Sequence, residues 1–317
     1  MSVPVNSVGL PVSRTLHFPG GPQGVLLLHG LASGPQELQF LARGLQRSGY
    51  TVRVPVIRGY SHAPGQSLYP HADWAAAALS EFDALLYECD SVAVGGLCIG
   101  AVLALQVALM RPTQVNALLA LSTTLHYDGW ASPWSRRLLP LATMVPWVGN
   151  IGVRERAPFG VKDERMRAWI AKQMREAGAS DAGAAVLHVR DLLESRRLMA
   201  AVRIRLPEIT APTLLLHARD DAAASLRSAF EVAQRVSSVR LRCVVLRDCY
   251  HMISIDREKQ CVLAELVDFL SQFLVIDSGA ARASGLAHQA ADISCQSRSV
   301  MPEKARVLSG ATMGNPP

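Results

Sequence analysis

Val92 to Leu105 reads VAVGGLCIGAVLAL: an apolar run, a Gly-x-Cys-x-Gly turn, and a second apolar run. A short apolar run that stops at glycines and restarts as a longer one fits a buried strand turning sharply into a helix. The glycines two before and two after Cys98 have a steric reason. A turn this tight brings strand and helix backbones together and leaves little room for a Cβ at Gly96 or Gly100. The helix that starts there offers free N–H groups and the positive end of its dipole to whatever Cys98 carries. Cys98 is therefore either a small hydrophobe filling a turn or a nucleophile whose thiolate is favoured by its position. Cys89 and Cys261 suit the first role better, since neither stands between glycines at a strand end.

The flanking sequence supplies the sheet that such a turn needs. Gly24–His29, Tyr50–Ile57, Val92–Val94 and Val115–Leu121 are apolar and strand-like. Helical spacing over Pro35–Ser48, Pro70–Tyr87 and Gly100–Met110 alternates with them. Strands alternating with helices predict an α/β fold, a mostly parallel sheet with helices on both faces. From about Leu125 to Arg205 the alternation breaks, with Pro133, Pro140, Pro146 and Pro158 and no good strand. It resumes with strands at Thr213–His217 and Leu241–Leu246 and helices at Ser225–Val236 and Glu258–Phe273. The expected organisation is an N-terminal segment over 1–23, a core over 24–124 and 206–275, and an inserted helical cap over 125–205. A disordered tail is expected over 276–317, which is rich in Ser, Ala and Gly.

Length and charge narrow the function classes. A chain of 317 residues, half of them hydrophobic, can bury one large core. No apolar run reaches the roughly 18 residues of a membrane span, so no stable membrane insertion is expected. The N-terminus lacks a basic start followed by an apolar stretch, and none of the six cysteines forms a CxxC pair. Both point to free thiols and a cytoplasmic location. Between Leu125 and Arg205 there are 14 Lys/Arg against 8 Asp/Glu, which accounts for the whole formal charge of +6. No basic run is interleaved with aromatics, so a nucleic-acid partner is not expected. The excess reads as a solvated helical surface, or as a region that meets an anion on the substrate.

A nucleophilic cysteine needs a base. His251, in DCYHMI, follows the strand Leu241–Leu246 and precedes the last helix, at the carboxyl edge of the sheet. There it can serve as general base and acid. The strand Thr213–His217 runs into Asp220 and Asp221, either of which could hold the imidazole; spacing alone does not choose between them. An oxyanion would be met by the Ile99 N–H and by the Leu31 N–H in the turn His29-Gly30-Leu31. His29 reads as structural, hydrogen-bonded beneath that turn.

LLLHGLASGPQEL, GYTVRVPVIRGYS, VGGLCIGAVLAL, TLLLHARDD and YHMISIDREK, in that order, resemble the α/β-hydrolase superfamily. Within it the chain is similar to the small bacterial carboxylesterases and monoacylglycerol lipases, over about Gly24 to Phe273. The resemblance implies an ester-cleaving hydrolase with no cofactor and no metal. It puts the orienting acid on Asp221, with Asp220 as the alternative. Two departures stand out: Cys98 replaces the family's Ser, and Gly59-Tyr60-Ser61 stands where Gly-His-Gly is frequent. A tetrahedral adduct on sulfur expels its better leaving group, the thiolate, unless the alkoxide is protonated first. Activated esters and thioesters should therefore turn over faster than alkyl esters. The expected substrate is a small ester or thioester with an apolar acyl part, buried against Leu138, Leu139, Leu141, Met144, Val145, Trp147 and Val148. The alternatives are a thioesterase or acyltransferase of the polyhydroxyalkanoate kind, and a catalytically degenerate hydrolase fold used for binding.

Overall fold

The structure, a computed structural model, describes residues 14–63, 66–132, 146–180 and 183–274. The main strands are β1 (Leu16–Phe18), β2 (Gln23–Leu28), β3 (Thr51–Val54), β4 (Ser91–Leu97) and β5 (Val115–Leu121). After an excursion, β10 (Thr213–Ala218) and β11 (Leu241–Leu246) complete a seven-stranded sheet in the order β1-β3-β2-β4-β5-β10-β11. Only β1 runs antiparallel to its neighbour. It lies inside the segment expected to precede the core; three residues on a sheet edge carry too little pattern to be read from sequence.

β2 is buried along its whole length, as a parallel strand covered on both faces must be. Its side chains alternate between two cores. Leu26 and Leu28 face α2 (His71–Glu88) and α3 (Ile99–Met110), whereas Val25 and Leu27 face α1 (Gln39–Arg47) and α7 (Lys259–Phe273). α3 is apolar on every side because it is buried on nearly every side.

The chain runs outward from β2 to β3, then returns to the other side of β2 as β4. The sheet therefore reverses its winding between β2 and β4, and a crevice opens beyond their carboxyl ends. Leu31 follows β2 and Cys98 follows β4, so topology alone brings both to that crevice.

Between β5 and β10 the chain leaves the sheet. It contributes α4 (Glu164–Ala177) and α5 (Val189–Arg205), and α5 packs on α2 and α3. It also forms two small antiparallel pairs, β6 (Gly152–Arg154) with β9 (Val186–His188) and β7 (Ala179–Ser180) with β8 (Gly183–Ala184). These correct the reading of this segment as free of strands: two or three residues, partly polar, carry no period of two. Of the apolar segment expected to bury an acyl chain, Leu138, Leu139, Leu141, Met144 and Val145 lie outside the described residues, as does the 276–317 tail. Trp147 is 70% exposed, and Val148 packs against Val189 and Leu192. Cys89, Cys98, Cys243 and Cys249 are free thiols, but Cys261 is disulfide-bonded, which corrects the expectation of six free thiols. No spacing signal marks it. Among the described residues no helix is long and apolar enough to cross a membrane.

Candidate active site

Cys98 is the single residue between β4 and α3, and its backbone sits at φ 59°, ψ −119°. A non-glycine residue with positive φ is strained and persists only where its surroundings hold it. Here its N–H donates to Leu121 O at 3.0 Å, tying the turn to β5. A Cβ on Gly96 would meet Gly100 O at 2.3 Å, and one on Gly100 would meet Leu28 O at 2.1 Å. Both glycines thus admit the close approach of β2, β4 and α3. The Thr124 hydroxyl, on the loop after β5, donates to Cys98 Sγ at 3.4 Å.

His251 and Asp221 come from the loops after β11 and β10. His251 Nδ1 lies 2.9 Å from Asp221 Oδ1 and 2.8 Å from Oδ2, and both side chains are buried. Asp221 Oδ1 also accepts the N–H groups of Ala223 and Ala224 at 2.8 and 2.9 Å. Its Oδ2 lies 3.3 Å from His217 Nε2, which also donates to Ala224 O at 2.8 Å. Burial would raise the Asp221 carboxyl, but His251, His217 and these amides outweigh it and hold it below its ordinary value. Burial would lower the His251 imidazole, but the Asp221 carboxylate and the Cys98 sulfur outweigh it and hold the ring well above its ordinary value. Burial outweighs Asp221 and holds the His217 imidazole below its ordinary value. Asp220 instead faces outward and pairs with Arg219 at 3.0 Å.

The loop that carries His251 is fastened by Asp256. This buried carboxylate accepts four backbone N–H groups: Tyr250 and Lys162 on Oδ2 at 2.9 and 2.7 Å, and Arg257 and Asp163 on Oδ1 at 2.9 and 3.0 Å. Met252 N–H donates to Gly160 O at 2.8 Å beside it. The His251 loop and residues 160–163, at the foot of α4, are therefore held as one unit.

The turn after β2 is fixed with equal detail. A carbonyl only accepts, so His29 Nδ1 carries a proton and donates to Gly30 O at 2.8 Å. In the neutral ring Nε2 then accepts from the Ser61 hydroxyl at 2.7 Å, while Ser61 Oγ accepts the Ile57 N–H at 2.8 Å. Burial lowers the His29 ring to about 4, which keeps it neutral. Gly30 N–H donates to the buried Glu37 carboxylate at 2.5 Å, and Ser33 N–H donates to Gly30 O at 3.2 Å. With the Gly30 carbonyl gripped, the trans peptide fixes the direction of the Leu31 N–H. Among the described residues neither the Leu31 nor the Ile99 amide is used by another acceptor.

Gly30, Leu31, Cys98, Ile99 and His251 line one cleft of about 650 Å³. Val153, Phe159, Met174, Leu187, Leu192 and Met252 give it apolar walls. Thr124, Asp256, Glu37 and His217 escaped the sequence reading. Only His217 had a signal, lying four residues before Asp221 in HARDD; the other three become visible only when distant loops meet.

Over residues 22–258 the chain matches the Hydrolase_4 family, described as serine aminopeptidase, S33. The chain belongs to this family. Individual relatives extend the comparison. The chain is 23% identical over 253 residues to a thermostable monoacylglycerol lipase of Bacillus sp. (strain H-257), covering 80% of this chain and 92% of that protein. It is 25% identical over 257 residues to a pimeloyl-[acyl-carrier protein] methyl ester esterase of Aromatoleum aromaticum, covering 75% of this chain and 95% of the other. In structure it resembles a chain from work on two metagenome-derived lipolytic enzymes, LipS and LipT, with a TM-score of 0.70 at 22% identity over 83% of this chain and 99% of that one. That likeness bears on the fold, an α/β-hydrolase fold with a mostly parallel sheet. This Hydrolase_4 member is an ester-hydrolysing enzyme.

Proposed function

We propose that this Hydrolase_4 member hydrolyses carboxylic esters through an acyl-enzyme on Cys98. The carrying observation is the convergence of a strained Cys98 and a His251–Asp221 couple on one cleft. His251 removes the thiol proton and holds it as imidazolium, with Asp221 fixing the ring and balancing its charge. The sulfur attacks the carbonyl carbon, and the oxygen that becomes negative is met by the Leu31 and Ile99 N–H groups. His251 protonates the departing alkoxide, which leaves a thioester. A water molecule then attacks that carbonyl, giving its proton to His251, and the C–S bond breaks. The apolar cleft walls suit an acyl chain, and the named relatives are ester hydrolases.

Sulfur shapes the substrate. The thiolate leaves a tetrahedral adduct more readily than an alkoxide, so acylation stalls on poor leaving groups. This favours a second reading, in which the natural substrate is a thioester or the acyl group passes to another carrier. The assembled His251–Asp221 couple argues against a degenerate binding protein.

The test is a pair of esters of one acid, p-nitrophenyl and ethyl. A Cys98 mechanism gives kcat/KM at least a hundredfold higher for the p-nitrophenyl ester. Equal values would sink the sulfur-based reading.

A further inference from the structure

The Thr124 hydroxyl lies within hydrogen-bond reach of the Cys98 sulfur. Its side chain is fully buried and its hydroxyl has two acceptors within reach, Ser122 O at 3.2 Å and Cys98 Sγ at 3.4 Å. A hydroxyl has a single proton, so the two compete. We propose that Thr124 is a catalytic residue whose hydroxyl turns from the Ser122 carbonyl to the Cys98 sulfur whenever that sulfur is a thiolate. The proposal rests on Cys98 being the nucleophile.

The selectivity follows from acceptor strength. A neutral thiol or thioester sulfur is a weak acceptor and loses to a carbonyl oxygen. A thiolate is charged, and hydrogen bonds to charged acceptors are roughly twice as strong. Thr124 therefore stabilises sulfur only in its anionic state. That state occurs twice in the cycle: before attack, and when the thioester is hydrolysed. In the second step water bonds to the acyl carbon and its proton passes to His251. The C–S bond breaks with its electron pair on sulfur, and the Thr124 proton swings to meet it. The same bond also helps the thiolate leave the first adduct, back toward substrate. Thr124 thus speeds release of the acyl group and adds to the preference for good leaving groups.

The loop is built to hold this hydroxyl in place. Ser122 has φ 41°, and its N–H donates to Leu216 O at 2.8 Å. The Leu125 and His126 N–H groups, just beyond Thr124, both donate to Ser228 Oγ at 3.2 Å. His251 and the buried Tyr60 are titratable groups that feel the sulfur's charge.

The test measures iodoacetamide alkylation of Cys98 against pH, by peptide mass, in the wild type, Thr124→Val and Thr124→Ser. Thr124→Val keeps the shape and removes the donor. Its rising limb is expected at higher pH, with the rate on that limb down about tenfold, and Thr124→Ser is expected to restore the wild-type profile. Stopped-flow turnover of a p-nitrophenyl ester should show slower acyl-enzyme breakdown in Thr124→Val. If Thr124→Val folds poorly, Thr124→Ala makes the same comparison. Unchanged profiles with a reactive wild-type Cys98 overturn the role of Thr124 and leave the nucleophile standing. A wild-type Cys98 no more reactive than Cys89 removes both.

Discussion

His251 presents one ring nitrogen to both oxygens of Asp221, at 2.9 and 2.8 Å. Since Nδ1 is committed to the carboxylate, Nε2 is the nitrogen left to exchange a proton with Cys98. Asp221→Asn keeps the shape but loses the charge that holds the imidazolium. The account expects kcat/KM for an activated ester to fall about a thousandfold with KM little changed. Steady-state kinetics on a p-nitrophenyl ester checks this.

The same pair makes stability depend on pH from both sides. Asp221 is held below its ordinary value, so its contribution is present above the unfolded carboxyl value and is lost as pH falls through the folded one. His251 is held above its ordinary value, so its contribution is complete below the unfolded histidine value of about 6.5 and is lost as pH rises through the folded one. Urea midpoints should therefore peak between the two limbs, and Asp221→Asn should flatten both.

Asp256 collects four amide protons from the His251 loop and residues 162–163. Asp256→Asn has one acceptor oxygen where four donors converge, and its NH₂ opposes two of them. Stability should fall by about 3 kcal/mol, and kcat/KM by tenfold or more as His251 loses its placement. Thermal unfolding and ester turnover read these separately. An unchanged kcat/KM in the folded variant would disconnect the clamp from catalysis.

Glu231, on α6 (Leu226–Arg235), reaches His126 at 2.6 Å, Arg203 of α5 at 2.8 Å and Arg235 at 3.1 Å. Burial would raise its carboxyl, but these partners lower it to about 2. Its contribution is thus full above about pH 4.5 and fades as pH falls toward 2. Glu231→Gln should cost about 2 kcal/mol at pH 7 and progressively less toward pH 2 in chemical denaturation.

The fold was legible because its signals are local. The Gly-x-Cys-x-Gly turn, the continuous apolar runs of β2 and β4, and the helical spacing between them each report on neighbours in the chain. Cys98, His251 and Asp221 stood out for the same reason, each following a recognisable strand. The choice of Asp221 over Asp220 was different. Both end the same strand, and only the folded loop turns one inward onto His251 and the other outward onto Arg219. Thr124, Glu37 and Asp256 act across 26, 7 and up to 94 residues of chain, through hydrogen bonds that leave no period in the sequence. The small strand pairs between β5 and β10 were missed because two or three residues cannot establish an alternation.

The most direct measurement is the site of acylation. The enzyme is mixed with a p-nitrophenyl ester, quenched in acid within one turnover, digested and mapped by mass. The account predicts one acyl group on the peptide bearing Cys98, released by neutral hydroxylamine and absent from Cys98→Ala. Full turnover by Cys98→Ala, or an acyl group carried on another residue, would contradict it.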